Sequence, residues 1–272
     1  MRAESGREIP GAYTCSQERQ RMLRLDGNDL DAADLGETGI DAAGLEEADM
    51  DAMGLDGTGM RGLQKRLPRD FFTRDGITVA RELLGKILVH ETAVGTVRGI
   101  ITEVESYMGE TDKGSHTYGG KRTARTEPMY HIGGTTYVYL IYGMYSCMNI
   151  AAMTNGIPQA VLLRSVMPAD SEARERMLAL RLEELNRKRT KKGEAPLSGC
   201  PVSLTKHLAD GPGKLCTAMG ITRADNDLDM VESGSFYVTE GIKVEPERIR
   251  AGKRIGIDYA EEAADYLWRF YL

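Results

Sequence analysis

From Leu67 onward the apolar positions fall into short blocks separated by polar punctuation, and their periods predict the elements. Pro68-Arg69-Asp70-Phe71-Phe72 reads as a capped entry. Thr78 to Leu84 has helical spacing of Val79, Leu83 and Leu84, and Gly85 ends it. Lys86 to Glu91 and Thr96 to Met108 read as strands, the second the longer. Residues 109–131 form a polar loop. A strand ending at Arg164, a helix over 170–186, a basic turn at 187–196 and a Gly-rich loop running into a short helix at 210–220 follow. Short strands and the aromatic end WRFYL close the chain. Strands outnumber helices and few βαβ units appear, so the class is α+β.

One block departs from this texture. Residues 132–163 contain no Asp, Glu, Lys, Arg or His across 32 positions, and hold four of the twelve tyrosines, Tyr137, Tyr139, Tyr142 and Tyr145. Gly143, Asn149, Asn155, Gly156 and Pro158 interrupt it, so it is not a membrane span. It reads as two buried strands joined at Tyr142-Gly143, with glycine supplying the positive φ of a tight turn. A third strand begins at Gln159. Alternation puts Tyr137, Tyr139 and Ile141 on one face, and Val138, Leu140 and Tyr142 on the other. Each buried tyrosine hydroxyl needs a partner, which plain sheet core does not supply.

Residues 1–65 have another pattern. From Leu25 an apolar residue recurs every five positions, through Leu30, Leu35, Ile40, Leu45, Met50, Leu55 and Met60. Period five fits neither helix nor flat strand. Pentapeptide solenoids have that period, but eight pentads make only two coils, too few for stability. An acidic, Gly- and Asp-rich low-complexity leader without stable structure is expected, with the folded domain over 66–272.

Charge sharpens that division. Residues 26–60 carry eleven acids and no base, so a net charge of −6 for the whole chain leaves residues 61–272 at +3. A mildly basic body permits a polyanion partner without demanding one. Cys15, Cys147, Cys200 and Cys216 are scattered, with no metal-ligand spacing, and the reading is reduced thiols. No pair of the four histidines has metal spacing, so neither metal nor cofactor is expected. The stretch MRAESGREIPGAYTC has no apolar core, so no signal peptide and no membrane association are expected. The expected location is the cytoplasm, beside the nucleoid, in a bacterium, or the nucleus in a eukaryote.

Three constellations carry candidate chemistry. On the strand from Thr96, Glu103, Glu105 and Tyr107 share a face. On a solvated face they need no explanation; lining a pocket, such a carboxylate is a natural general base. The 23-residue loop 109–131 is long for a compact domain, and holds His116, Gly119-Gly120, and Lys121, Arg122, Thr123 and Arg125, which suit phosphate contacts. The hairpin places an aromatic at a protruding tip, as proteins that open a duplex do, and its tyrosine faces suit base stacking. Asn149 on the return strand is bonded either to backbone or to a ligand edge. Arg164 must find water or an anion. No nucleophile elbow appears, and GPGKL lacks P-loop spacing.

Several long motifs in order, LPRDFFTRDGITVARELLGKILV, GIITEVESYMGETDKGSHTYGGKRTARTEPMY, GTTYVYLIYGMYSCMNIA, AVLLRSV, GPGKLCTAMGI and WRFYL, resemble the alkyladenine (3-methyladenine) DNA glycosylase family of mammalian type, over about residues 67–272. The resemblance implies a single compact α+β domain with a curved, mainly antiparallel sheet and a protruding hairpin. It implies a monomeric, monofunctional enzyme without cofactor or metal, acting on double-stranded DNA that contains damaged purines. Glu105 matches the catalytic acid. Tyr107 and Tyr139 match the aromatic walls around a flipped base, with His116 at its edge. Tyr142 matches the residue that fills the gap in the duplex, and Asn149 the one that screens against the 2-amino group of guanine. Arg164 matches a basic contact near the flipped nucleotide. Lys121, Thr123, Arg125 and Lys214 are expected at the DNA backbone. The loop departs from other members at Lys121 and Thr126-Glu127-Pro128, and residues 187–198 look like a variable insertion.

The implied reaction hydrolyses the N-glycosidic bond of an alkylated or deaminated purine and leaves an abasic site, with no lysine nucleophile placed for strand cleavage. Two other readings compete. A non-catalytic nucleic-acid-binding module has no use for an acid beside DNA phosphate. A carbohydrate hydrolase would need a carboxylate pair, whereas Glu103 and Glu105 sit on one strand with no second acid motif elsewhere.

Overall fold

Asp75 starts the first helix of more than one turn among the described residues. Its carboxylate accepts from the Ile77 and Thr78 amides at 3.0 and 3.2 Å, satisfying donors that a helix start leaves open. The computed structural model describes residues 65–141 and 145–272. The leader expected over 1–65 falls almost wholly outside them, as does Tyr142. Helix α2 (Gly76–Leu83) follows the single turn α1 (Arg69–Phe72). Gly85 stops it at φ +82°, and a Cβ there would lie 2.7 Å from the Ile242 carbonyl oxygen. No other residue fits that place.

Among the described residues eight strands follow: β1 (Ile87–Thr92), β2 (Gly95–Tyr107), β3 (Thr136–Ile141), β4 (Tyr145–Ala152), β5 (Gln159–Pro168), β6 (Phe236–Thr239), β7 (Arg250–Gly252) and β8 (Arg269–Tyr271). Every pairing is antiparallel, in the order β3-β4-β5-β2-β1-β6, with β8 between β2 and β7. The long strand β2 changes neighbour along its length. Its first half lies beside β1, its second beside β8, and the register with β5 slips around Glu103. A strand that switches partners and carries a bulge bends the sheet, which curls into a half-barrel of the α+β class.

Helix α3 (Ser171–Lys191) is capped by Asp170, whose side chain accepts from Ala173 N at 2.7 Å. Helices α4 (Val202–Lys206) and α5 (Pro212–Ala218) follow. The apolar core lies between the helices and one face of the sheet: Val79, Ala80 and Leu83 of α2, Met177 and Leu178 of α3 and Leu215 and Cys216 of α5 meet Val104, Val138, Met148, Ile150, Val161 and Leu163. Among the described residues no helix is long and apolar enough to cross a membrane.

Two expected boundaries differ. The helix expected to stop at 186 runs to Lys191, taking in half of the expected basic turn. Glu184 holds Arg187 at 2.6 Å and Lys188 at 3.5 Å across one turn, and cations are favoured at a helix C-terminus. The strand expected to end at Arg164 continues to Pro168, because β2 is long enough to pair it as far as Gly99.

The polar loop 109–131 is laid out in three short 3-10 turns, at Gly109–Thr111, Tyr118–Gly120 and Glu127–Tyr130. It lies over the other face of the sheet, where Met129 packs with Tyr137, Ala160 and Tyr139.

Candidate active site

Cross-strand register assembles the site. Tyr137 pairs with Asn149, Asn149 with Leu162, Leu162 with Glu105, and Glu105 with Arg269, so one row crosses five strands. Directly paired residues point to the same face. Tyr139 and Cys147 are paired two positions along, with Tyr107 on the same face of β2.

Glu105 is fully buried at the centre of this face. Its Oε1 accepts from the Ile255 amide at 2.8 Å and lies 3.2 Å from Arg164 Nη1. Its Oε2 accepts from the Tyr107 hydroxyl at 2.9 Å. Arg164 Nε donates to Glu103 at 2.9 Å, and Arg269 Nη1 to the same oxygen at 3.0 Å. Burial works against the charge on Arg164, but Glu105 and Glu103 outweigh it and raise its pKa. The expected role of Arg164 at the DNA backbone meets a different geometry here. Its side chain is 11% exposed and already engaged by two carboxylates, which makes it the charge partner of the acid.

Tyr107 is held from behind. The Arg254 guanidinium lies 4.7 Å from its ring centroid and 5.0 Å from that of Trp268. Arg254 forms a fully buried ion pair with Asp112, at 2.5 and 2.8 Å. It also donates to the Ser106 carbonyl at 3.0 Å. Asp112 accepts from the Met108 and Gly114 amides as well. One ion pair therefore fixes the Tyr107 ring, the start of the loop that carries His116, and the backbone next to the Ile255 amide. Burial, then the Glu105 carboxylate, pushes the Tyr107 phenol well up, so it stays a donor.

Tyr139 and His116 form the opposite side. Their ring centroids are 4.8 Å apart at 73°. Tyr137 lies 5.2 Å from Tyr139, and its hydroxyl is 2.9 Å from His116 Nδ1. Burial, with repulsion from Arg125 and Lys121, lowers the His116 pKa to about 4, so the ring is neutral. Burial likewise raises the Tyr139 phenol, and pushes the neighbouring Cys147 thiol up to about 11. Arg125 sits 5.0 Å over the Tyr139 ring. Asn149 Nδ2 donates to the Tyr137 carbonyl at 3.2 Å, the backbone alternative for that side chain.

A buried carboxylate thus shares one face of the sheet with neutral aromatic rings, one of which already carries a cation on its face. Comparison with known proteins agrees in kind. The family model for methylpurine-DNA glycosylase matches residues 70–272. This chain belongs to that family. It is similar to proteins named as candidate 3-methyladenine DNA glycosylases in Clostridium acetobutylicum, 47% identical over 76% of this chain and 94% of the other, and in Clostridium perfringens, 44% identical over 76% and 95%. A relative in Clostridioides difficile is 42% identical and is covered along its whole length. The enzyme is a DNA glycosylase for alkylated bases.

The remaining expected residues of the glycosylase spread outward from this centre. Lys121, Thr123 and Arg125 are exposed on the His116 loop. The Thr123 hydroxyl is turned inward, accepting from the Thr126 amide at 3.3 Å, so it staples the loop. Lys214 stands in the first turn of α5, paired with Asp210 at 3.0 Å. The β3–β4 ladder closes at Ile141 and Tyr145, and the Tyr142 expectation lies between them.

Sequence reasoning passed over Asp112, Arg254, Cys147, Leu162 and Arg269. The first two gave no signal, since each sits among other charges, Asp112 beside Glu110 and Lys113 and Arg254 beside Arg250 and Lys253. Cys147 was within reach, since alternation puts it on the face of Asn149, while Leu162 carried no signal, since only strand register puts it there.

Proposed function

We propose that this glycosylase rotates an alkylated or deaminated purine out of duplex DNA, holds it between Tyr107 and Tyr139 with His116 at its edge, and hydrolyses its N-glycosidic bond. Extrusion costs a few kcal/mol, least for damaged bases that pair and stack badly, which is one source of selectivity. Tyr142 fills the vacated stack. An uncharged tip suits that task, because a wedge entering a base stack must shed its water. Asn149 screens the inner end of the pocket.

Glu105 takes a proton from water as its oxygen bonds to C1′, and its negative charge stabilises the oxocarbenium-like sugar. The electron pair of the N-glycosidic bond leaves with the base, and the product is an abasic site in an unbroken strand. Arg164 and the Ile255 amide hold one carboxylate oxygen, and the Tyr107 hydroxyl orients the other. Neutral His116 adds no positive charge to repel a cationic alkylated base.

The observation that carries this reading is that the buried Glu105 shares its sheet face with a ring, Tyr139, whose face takes the Arg125 cation at 5.0 Å. A cationic purine offers that face the same attraction with a larger stacking surface. The test is a panel of duplexes, each with one alkylated, deaminated or normal purine, incubated with the purified full chain. Free base should appear from damaged duplexes only, with strand breaks only after alkali. Release of normal guanine at a comparable rate, or cleavage without alkali, overturns the reading.

A further inference from the structure

We propose that the C-terminal half of α3 is a second contact surface for duplex DNA, gripping backbone phosphates on one flank of the lesion. The proposal rests on the reading of this enzyme as one that holds a duplex across its β3–β4 hairpin.

Charge is the first observation. Residues 181–194 hold six bases (Arg181, Arg187, Lys188, Arg189, Lys191, Lys192) against three acids (Glu183, Glu184, Glu194). That excess of +3 equals the net charge of residues 61–272. The rest of the folded body sums to zero, its other basic runs at 121–125 and 248–254 being offset by acids elsewhere in the sequence.

The charges are also placed. Arg181, Lys188 and Lys192 are seven and four residues apart, so they share one face of the helix. They span about 16 Å, the rise of about five base pairs. Two of the three acids are held by bases off this face: Glu184 by Arg187 at 2.6 Å and Glu194 by Arg189 at 2.9 Å. Among the described residues Lys191 and Lys192 have no carboxylate partner, and Lys188 reaches Glu184 only at 3.5 Å. Arg181 Nε is buried with no partner, and Nη2 reaches the His207 carbonyl only at 3.4 Å. Burial lowers the Arg181 pKa by more than the nearby Asp210 and Glu184 raise it.

The surface continues the hairpin. Lys188 Nζ sits 4.5 Å over the ring of Tyr145, the residue that opens β4 just past the hairpin tip. Helix α5 presses on that same ring. A Cβ on Gly213 would lie 3.2 Å from the Tyr145 Cβ, and Lys214 is the next residue. Tyr145 thus joins Lys188 of α3 to the α5 turn that carries Lys214, in one line of contacts. The segment after the helix is fastened down rather than loose. The Asn186 side chain bonds both the amide and the carbonyl of Leu197, at 2.7 and 3.2 Å, and Arg189 Nε donates to the Ala195 carbonyl at 2.9 Å. Polyanion of regular charge spacing is the ligand class this line fits.

The experiment compares the full chain with its Lys188→Glu/Lys192→Glu variant, using fluorescence anisotropy on a duplex with a tetrahydrofuran abasic mimic at 50–200 mM salt. Two lost phosphate contacts should flatten the slope of log K against log salt by about 1.8 and weaken binding at least about tenfold. Shortening the duplex on one flank should weaken the wild-type protein and leave the variant little changed. The Lys188→Gln/Lys192→Gln variant, with its melting temperature, guards against misfolding and should shift the slope in the same direction. An unchanged slope and affinity in both variants overturns the proposal and leaves α3 an ordinary solvated helix. A wild-type protein that neither prefers the lesion duplex nor releases a base overturns the underlying reading instead.

Discussion

The Tyr107 hydroxyl donates to Glu105 Oε2 at 2.9 Å, between residues two positions apart on one strand. Strand alternation puts both on one face, and burial of that face gives the bond its weight. The other carboxylate oxygen is held by the Ile255 amide, so the acid is oriented at both ends.

Replacing Glu105 with Gln keeps the volume and removes the base. Single-turnover excision from a duplex containing methyladenine or hypoxanthine should fall at least about 100-fold, while affinity for that duplex stays within a few-fold. Full excision by Glu105→Gln would sink the assignment of the acid.

Tyr107→Phe removes only the donor. The ring keeps its contact with Arg254, so stacking survives and the carboxylate loses one charge-assisted bond, worth about 1.5–3 kcal/mol. The excision rate should drop about tenfold or more, with the lesion-binding constant little changed. A matched loss in binding and rate would mean that the hydroxyl acts on the substrate instead.

His116 makes stability depend on pH with a definite sign. Its folded pKa is about 4 and the ordinary value is 6.5. As pH falls through 6.5 the unfolded chain takes up a proton that the folded chain refuses, so stability is lost between about 6.5 and 4. His90, whose pKa is raised by its Asp225 and Met219 partners against burial, has the opposite sign and gains over its own window. The His116 part is therefore read as a difference. The melting temperature of His116→Gln should fall less than that of the wild type between pH 7 and pH 4.5. Parallel curves would contradict the neutral, buried ring.

Asp112→Asn leaves Arg254 charged in a fully buried place. Breaking such a pair from one side costs about 3–5 kcal/mol, about 10 °C of melting temperature for a domain of this size. Calorimetry of the variant measures it. A shift under about 2 °C would show that the Arg254 guanidinium finds other acceptors.

Removal of residues 1–64 should leave excision and melting temperature unchanged. The cut spares Lys65, whose carbonyl accepts from the Glu240 amide, and Arg66, which bridges to Thr239. A large loss of activity would make the five-residue repeat part of the enzyme.

The periods along the chain were enough for the α+β class, the hairpin strands and the shared face of Glu103, Glu105 and Tyr107. Each rests on local geometry, since alternate residues of a strand share a face whatever lies beyond it. The same local rules misjudged 187–191, where a run of bases looked like a turn. Ion pairs to Glu184 and the bracket from Asn186 to Leu197 carry the helix on.

The sequence by itself was enough for the family, and it put Glu103, Glu105 and Tyr107 on one strand face, because motif and alternation are properties of neighbours in the chain. Only the tertiary structure decided what surrounds the acid. Which residue stands beside Glu105 depends on register between strands distant in sequence, and register is settled by packing of the whole sheet. That is why Arg164, expected at the DNA backbone, lies against Glu103 and Glu105. It is also why Arg254 and Asp112, unremarkable as letters, tie together the ring, the loop and the backbone beside the carboxylate.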